Sequence, residues 1–86
     1  MTTDAVASIA EQRASKNEEL LTRATHKRME ADAHDSAASL LLNSETQSQE
    51  VKNVWISISN RLSREAVDLR VSAERDIERA RGLRSQ

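Results

Sequence analysis

Apolar and small residues recur every three or four positions in the second half of the chain. From Val51 to Ala80 the spacings run 4, 3, 4, 4, 3, 4, 4 and 3, which places these residues on one face of an α-helix. The repeat is closer to eleven residues than to seven, so nearly straight helices are expected. The pattern predicts a helix over residues 47–81. Its large core residues are expected to be Val51, Trp55, Ile58, Leu62, Leu69 and Ile77.

The first half shows the same kind of stripe more weakly, because Arg13, Asn17 and Lys27 interrupt it. It predicts a helix over residues 4–42. A capping-box pattern that starts at Ser15 leaves open a later start with a loose N-terminal arm. The core residues expected from this helix are Leu20, Ala24, Ala31 and Ala38.

The polar cluster at residues 43–46 divides the chain into two arms of similar length, which predicts one domain, residues 1–86, folded as an antiparallel helical hairpin. Capping-box patterns at residues 44–47 and 46–49 predict the start of the second helix. Gly82 is expected in the left-handed position just after its end, and residues 82–86 are expected to fray. In a symmetric hairpin Leu69 lies opposite Leu20. A single long helix in a coiled coil stays open as the alternative, since no Pro forces a break.

Two helices enclose little core, so a chain of this size is expected to complete it with another chain. Self-association into a four-helix bundle, as a homodimer, or docking on a specific protein partner both meet that need. Apolar residues away from the main stripes are the expected contacts. They are Met29, Ala33, Ala37 and Leu40 on the first helix and Val67 and Val71 on the second.

Composition supports an all-α fold and removes several classes of function. The chain has no Pro, Cys, Phe or Tyr, and 31% of its residues are charged. Without cysteine there are no disulfides or thiolate sites. No membrane span and no signal peptide are expected, which predicts a cytoplasmic protein, with export by a route without a signal left open.

One group of side chains has the chemistry of a metal site. His26, Glu30 and His34 lie four residues apart on one side of a helix, and imidazole and carboxylate both bind zinc or iron. The spacing matches neither HExxH nor the Glu-x-x-His of di-iron bundles, so a solvated polar face is the preferred interpretation. No metal, cofactor or catalytic residue is expected, and the chain is not expected to be an enzyme.

Four arginines of the second helix fall on one side: Arg61, Arg64, Arg75 and Arg79. Acidic residues surround them, and no aromatic side chain is available to stack on bases, so nucleic acid is not expected as a partner. Ion pairs along the helix, such as Arg70 with Glu74, are expected instead. A nucleic-acid-associated regulator remains a lesser alternative.

By form alone the chain resembles the small helical hairpins that bacteria and phages use as secretion subunits, co-chaperones and inhibitors. It departs from the secreted hairpins with a Trp-x-Gly turn, because Trp55 is followed by Ile56 and Ser57 inside a helix. The resemblance of form implies a non-enzymatic protein-interaction module, an adaptor, co-chaperone or inhibitor that acts through an apolar helix face. A structural or secretion-system subunit that oligomerises is the alternative.

Overall fold

Two helices make up nearly the whole of the computed structural model, which describes the backbone of residues 2–85 and the side chains of residues 8–83. Helix α1 spans Thr2–Asn43 and helix α2 spans Gln49–Ser85. They pack against each other as an all-α hairpin 74 Å long, joined by a loop at residues 44–48. The predicted hairpin is confirmed. The alternative of one uninterrupted helix is wrong.

Helix α2 starts two residues later than predicted because Ser48 caps it. The Ser48 carbonyl accepts a hydrogen bond from the Lys52 N–H at 3.1 Å, and its Oγ accepts one from the Val51 N–H at 3.3 Å. Thr46 Oγ1 accepts the Ser48 N–H at 3.2 Å and thereby orders the residue before the helix. Ser48 is therefore the N-cap, and neither predicted capping box is the one used.

The predicted end of α2 is wrong, since the helix continues through Gly82 to Ser85. No described glycine has a positive φ, so Gly82 does not form a left-handed cap. Leu83 is half-buried in a groove that Ala14 and Asn17 also line, which gives the last turn of α2 a packing contact. Residue 86 of the predicted frayed tail lies outside the described residues.

Small residues spaced seven apart form the contact between the helices, which we call the seam. Asn17 Nδ2 donates to the Ala80 carbonyl at 2.7 Å, and Ser59 Oγ donates to the Ala38 carbonyl at 3.2 Å. Between these two contacts each helix has two buried alanines at the same seven-residue interval. The layers of the seam are therefore Asn17/Ala80, Ala24/Ala73, Ala31/Ala66 and Ala38/Ser59.

This spacing corrects two expectations of the sequence analysis. The buried positions repeat every seven residues rather than every eleven, as in a coiled coil. The helices are also shifted by about two helical turns from the predicted register, since the layers place Leu20 opposite Ile77 rather than Leu69. The prediction assumed arms folded symmetrically about the loop, whereas the alanine layers decide the register.

Helix α1 extends beyond the end of α2 by about 11 residues, or ~16 Å, because the last turn of α2 reaches only the level of Ala14 and Asn17. The described side chains from Ser8 to Lys16 are all exposed. The helix nevertheless begins at Thr2, so the alternative start at Ser15 is wrong. This part of α1 has no neighbouring helix.

The predicted core is partly buried. Leu20, Ala24, Ala31 and Ala38 are buried, whereas the large residues expected from α2 are only half-buried: Trp55, Ile58, Leu62, Leu69 and Ile77. Val51 is exposed, because it lies to one side of the seam in the first turn of α2. Among side chains 8–83, six of the seven buried apolar residues are alanine, and Ser59 and Asp76 are buried with them.

Candidate protein-interaction surface

The six residues predicted to contact a partner lie on two separate faces of the hairpin. Met29, Ala33 and Leu40 are exposed on the side of α1 that points away from α2, and Ala37 beside them is half-buried. Val67 and Val71 are exposed on the opposite side of the molecule, on the outer face of α2. One partner helix cannot contact both sets at once.

One flank of the seam is closed by ion pairs between the helices. Arg28 lies 2.6 Å from Glu74, and Arg70 lies 2.9 Å from Asp32 and 2.7 Å from Asp35. Hydrogen bonds to Asp32 and then Asp35 raise the pKa of Arg70 above its ordinary value. The predicted pair of Arg70 with Glu74 along α2 is therefore replaced by pairs across the seam.

The other flank is marked by His34 and Glu65, whose side chains meet at 3.1 Å. Residues three or four positions apart lie on the same face of a helix. Counting from His34 along α1, and from Glu65 back along α2, therefore gives the residues that lie on this flank between the ion pair and the loop. Next to His34 the stripe of α1 continues as Ala37 and Leu41. Beyond Glu65 and its neighbour Arg61 the stripe of α2 continues as Ile58, Val54 and Val51.

These two stripes and their neighbours near the loop carry apolar side chains, and we call this set of residues the loop-end surface. Leu40 is 71% exposed and Val54 is 55% exposed. Only three of the 25 residues from 36 to 60 are charged, against 31% of the whole chain, and none of the three belongs to this face. The loop-end surface comprises Ala33, Ala37, Leu40, Leu41, Val51, Val54 and Ile58, with Met29 one turn further along α1.

Trp55 lies at the seam beside this surface. It is half-buried in a shallow depression that Leu41, Leu42 and Ile56 also line. The sequence indicated that Trp55 is the large wedge of the core, but the hairpin at this level is too thin to cover an indole ring. Trp55 therefore contributes both to the seam and to the apolar character of the loop end.

The candidate metal ligands are arranged differently from a metal site. His34 Nδ1 lies 2.7 Å from the Glu30 carbonyl oxygen, and its Nε2 faces Glu65. Both ring nitrogens are thus directed at protein acceptors. Among residues 8–83, no group of three or more His, Cys, Asp or Glu side chains is placed to hold a metal ion.

The four arginines considered for nucleic acid are all exposed on α2, and Asp68 lies exposed among them. Phosphate binding requires a face on which positive charge is not neutralised by neighbouring carboxylates. Asp68 interrupts the positive charge along this side of α2.

No protein-family model, characterised protein or solved structure matches this chain. In the described part of the chain, neither helix combines the length and apolar character of a membrane span. The sequence signals of the loop-end surface are the run Leu40 to Leu42 and the scarcity of charge around the loop.

Proposed function

We propose that this protein is a non-enzymatic interaction module, a helical-hairpin adaptor that binds another protein chain through its loop-end surface. One observation carries the proposal: among the residues whose side chains the structure describes, ten large apolar residues are exposed, whereas the fully buried apolar residues are almost all alanine. Five of these ten residues surround the loop end: Leu40, Leu42, Val51, Val54 and Ile56.

The energetics of burial support this proposal. Covering a Val, Leu or Ile side chain fully is worth roughly 1.5–3 kcal/mol, and a single CH₂ about 0.8 kcal/mol. The alanines of the seam therefore contribute little each, and large apolar side chains such as Leu40 and Val54 are still more than half exposed to water. Binding to another chain covers that area, as expected for helix recognition between proteins.

Chemistry of the surface points to a protein as the partner. The loop-end surface has no charged member, so it lacks the cations that bind phosphate, and it is a shallow face rather than a cavity that encloses a small ligand. Two helices side by side offer a groove and ridges that fit the apolar face of a further helix. The expected contact is therefore helix against helix.

Site-specific photo-cross-linking tests the proposal. A photoreactive amino acid at Leu40 is expected to form covalent adducts with a protein chain, either a second copy or a different protein, in extracts of the cells that produce the protein. The matched control carries the same amino acid at Val71, on the opposite outer face. Adducts at Leu40 that do not exceed those at Val71 contradict the proposal, and mass spectrometry of the adducts identifies the chain that is bound.

A further inference from the structure

We propose that His34 makes a pH-sensitive contact between the two helices, which is complete only when both nitrogens of its imidazole ring carry a proton. The inference concerns how tightly the hairpin is held together, and it does not rest on the proposed function. Acidification over the range in which an imidazole gains its second proton is expected to strengthen the link between α1 and α2 on this flank.

Both ring nitrogens of His34 face hydrogen-bond acceptors. Nδ1 lies 2.7 Å from the carbonyl oxygen of Glu30 on α1, and Nε2 lies 3.1 Å from a carboxylate oxygen of Glu65 on α2. A neutral imidazole has one N–H group and one bare nitrogen, whereas an imidazolium has two N–H groups. In the neutral ring one nitrogen therefore turns its lone pair towards an oxygen that only accepts. The imidazolium donates to both oxygens at once.

The charge around the ring favours the same protonated form. His34 lies in a groove between the helices, and its side chain is only 26% exposed. Among residues 8–83, the side chains that line this groove with it include three carboxylates, one from α1 and two from α2: Glu30, Glu65 and Asp68. Leu69 and Ser72 complete the lining. A proton on the imidazole therefore places a positive charge among negative ones.

Cations near this groove do not reverse that balance. Lys27 donates to the hydroxyl of Ser72 at 2.7 Å, but Asp76 lies equally close to its ammonium group and offsets its charge. Arg61 and Arg64 lie within one turn of the groove on the exposed side of α2, where solvent screens their charges. The charged group in direct contact with the ring of His34 is a carboxylate, at the distance given above.

The position of the contact decides what protonation changes. It lies between the layers Ala31/Ala66 and Ala38/Ser59, in the half of the hairpin near the loop. On the opposite flank the ion pairs of Arg70 join an arginine to aspartates, and both of these groups stay charged between about pH 5 and 8. Acidification within this range is therefore expected to tighten one flank of the seam and to leave the other as it is.

Thermal unfolding followed by circular dichroism tests the inference at one protein concentration and at two values, about pH 5.5 and about pH 8, on either side of the ordinary imidazole titration. His34→Gln replaces the ring with a neutral side chain that gains no proton. We expect it to lower the melting temperature by roughly 2–6 °C more at the lower pH than at the higher one, because a partly exposed contact has the strength of a surface ion pair.

Glu65→Gln tests the same contact from the other helix. It removes the negative charge that faces Nε2, and it is expected to remove the same pH-dependent part of the stability. The double variant His34→Gln/Glu65→Gln is expected to lose no more of that part than either single variant. The Glu65 side chain is 51% exposed, so this variant is expected to fold and provides the test should His34→Gln fail to fold.

His26→Gln is the matched control, because His26 is exposed on the same helix, in a depression lined by α1 alone. It is expected to keep the pH dependence of the parent protein. A loss in His34→Gln that is equal at the two pH values, or larger at the higher one, overturns the inference. An equal effect of His26→Gln, or a Glu65→Gln variant that retains the full pH dependence, overturns it as well.

Discussion

The ammonium group of Lys27 on helix α1 lies 2.7 Å from a carboxylate oxygen of Asp76 and 2.7 Å from the hydroxyl of Ser72, both on helix α2. Asp76 is 5% exposed and Lys27 is half-buried. A charged pair thus lies at the edge of a seam whose layers are formed by small residues. Because Lys27 is on α1 and Asp76 is on α2, this ion pair favours one alignment of the two helices along their length.

Removing one member of this pair is expected to be costly. Asp76→Ala leaves the Lys27 charge half-buried without its partner, so we expect the free energy of unfolding to fall by about 2–4 kcal/mol. Urea denaturation at a fixed protein concentration measures the change. The control is Glu19→Ala, whose exposed pair with Arg23 contributes about 0–1 kcal/mol. Equal losses in the two variants would show that burial adds nothing to the pair.

The alanine layers are expected to tolerate no larger side chain. Ala31 is fully buried in the seam. Ala31→Leu must push the helices apart, and we expect it to lower the free energy of unfolding by about 1–3 kcal/mol. Ala14→Leu, the same change at an exposed position of the same helix, is expected to stay within about 0.5 kcal/mol. A stable Ala31→Leu variant would mean that the seam is looser than the structure shows.

Engineered disulfides test the register directly, since the chain has no cysteine of its own. The double variant Ala31→Cys/Ala66→Cys places both thiols in one layer of the seam and is expected to oxidise to an intramolecular disulfide. The pair Leu20→Cys/Leu69→Cys follows the register expected from symmetric arms and is expected to remain reduced. Non-reducing electrophoresis and mass spectrometry compare them. Preferential oxidation of the second pair would refute the register described here.

The start of α2 is expected to depend on the hydroxyl of Ser48. Ser48→Ala removes the acceptor for the Val51 N–H, and we expect a loss of about 0.5–2 kcal/mol in the free energy of unfolding. Ser48→Asp retains a capping oxygen and is expected to keep the stability of the parent protein. Thermal unfolding followed by circular dichroism is sufficient to rank the three proteins. A Ser48→Asp variant as unstable as Ser48→Ala would argue against the cap.

The hairpin was predictable from the sequence because its signals are local. The apolar spacing of α2 and the polar residues around Ser44 each indicate a feature within a few turns of chain. The register was not predictable in this way, because it depends on which distant alanines meet. The stripe was traced through large residues such as Val51 and Ile77, whereas the closest contacts belong to Ala31, Ala66 and their equivalents.

The candidate surface was predicted in part. Leu40 and Ala37 were identified as apolar residues away from the main stripe of α1, and the structure places them in the loop-end surface. Val51 and Ile58 were assigned to the core, since a helical wheel does not show that the partner helix covers only a narrow strip. Val54 was missed for the same reason. How much of each helix stays exposed depends on how many other helices pack against it, which the sequence of one helix does not show.

The repetition of the alanine layers has a consequence for folding. If α2 slides by one seven-residue repeat, Ala24 meets Ala66 and Ala31 meets Ser59, so small residues again face small residues. The slip brings Lys52 opposite Ala38 in place of Ser59, so one layer of small residues is lost, and Leu69 approaches Leu20. Lys27 would lose Asp76 in the slipped hairpin. The ion pair therefore adds to the layers in fixing the register, and its loss is expected to make the slipped hairpin more accessible.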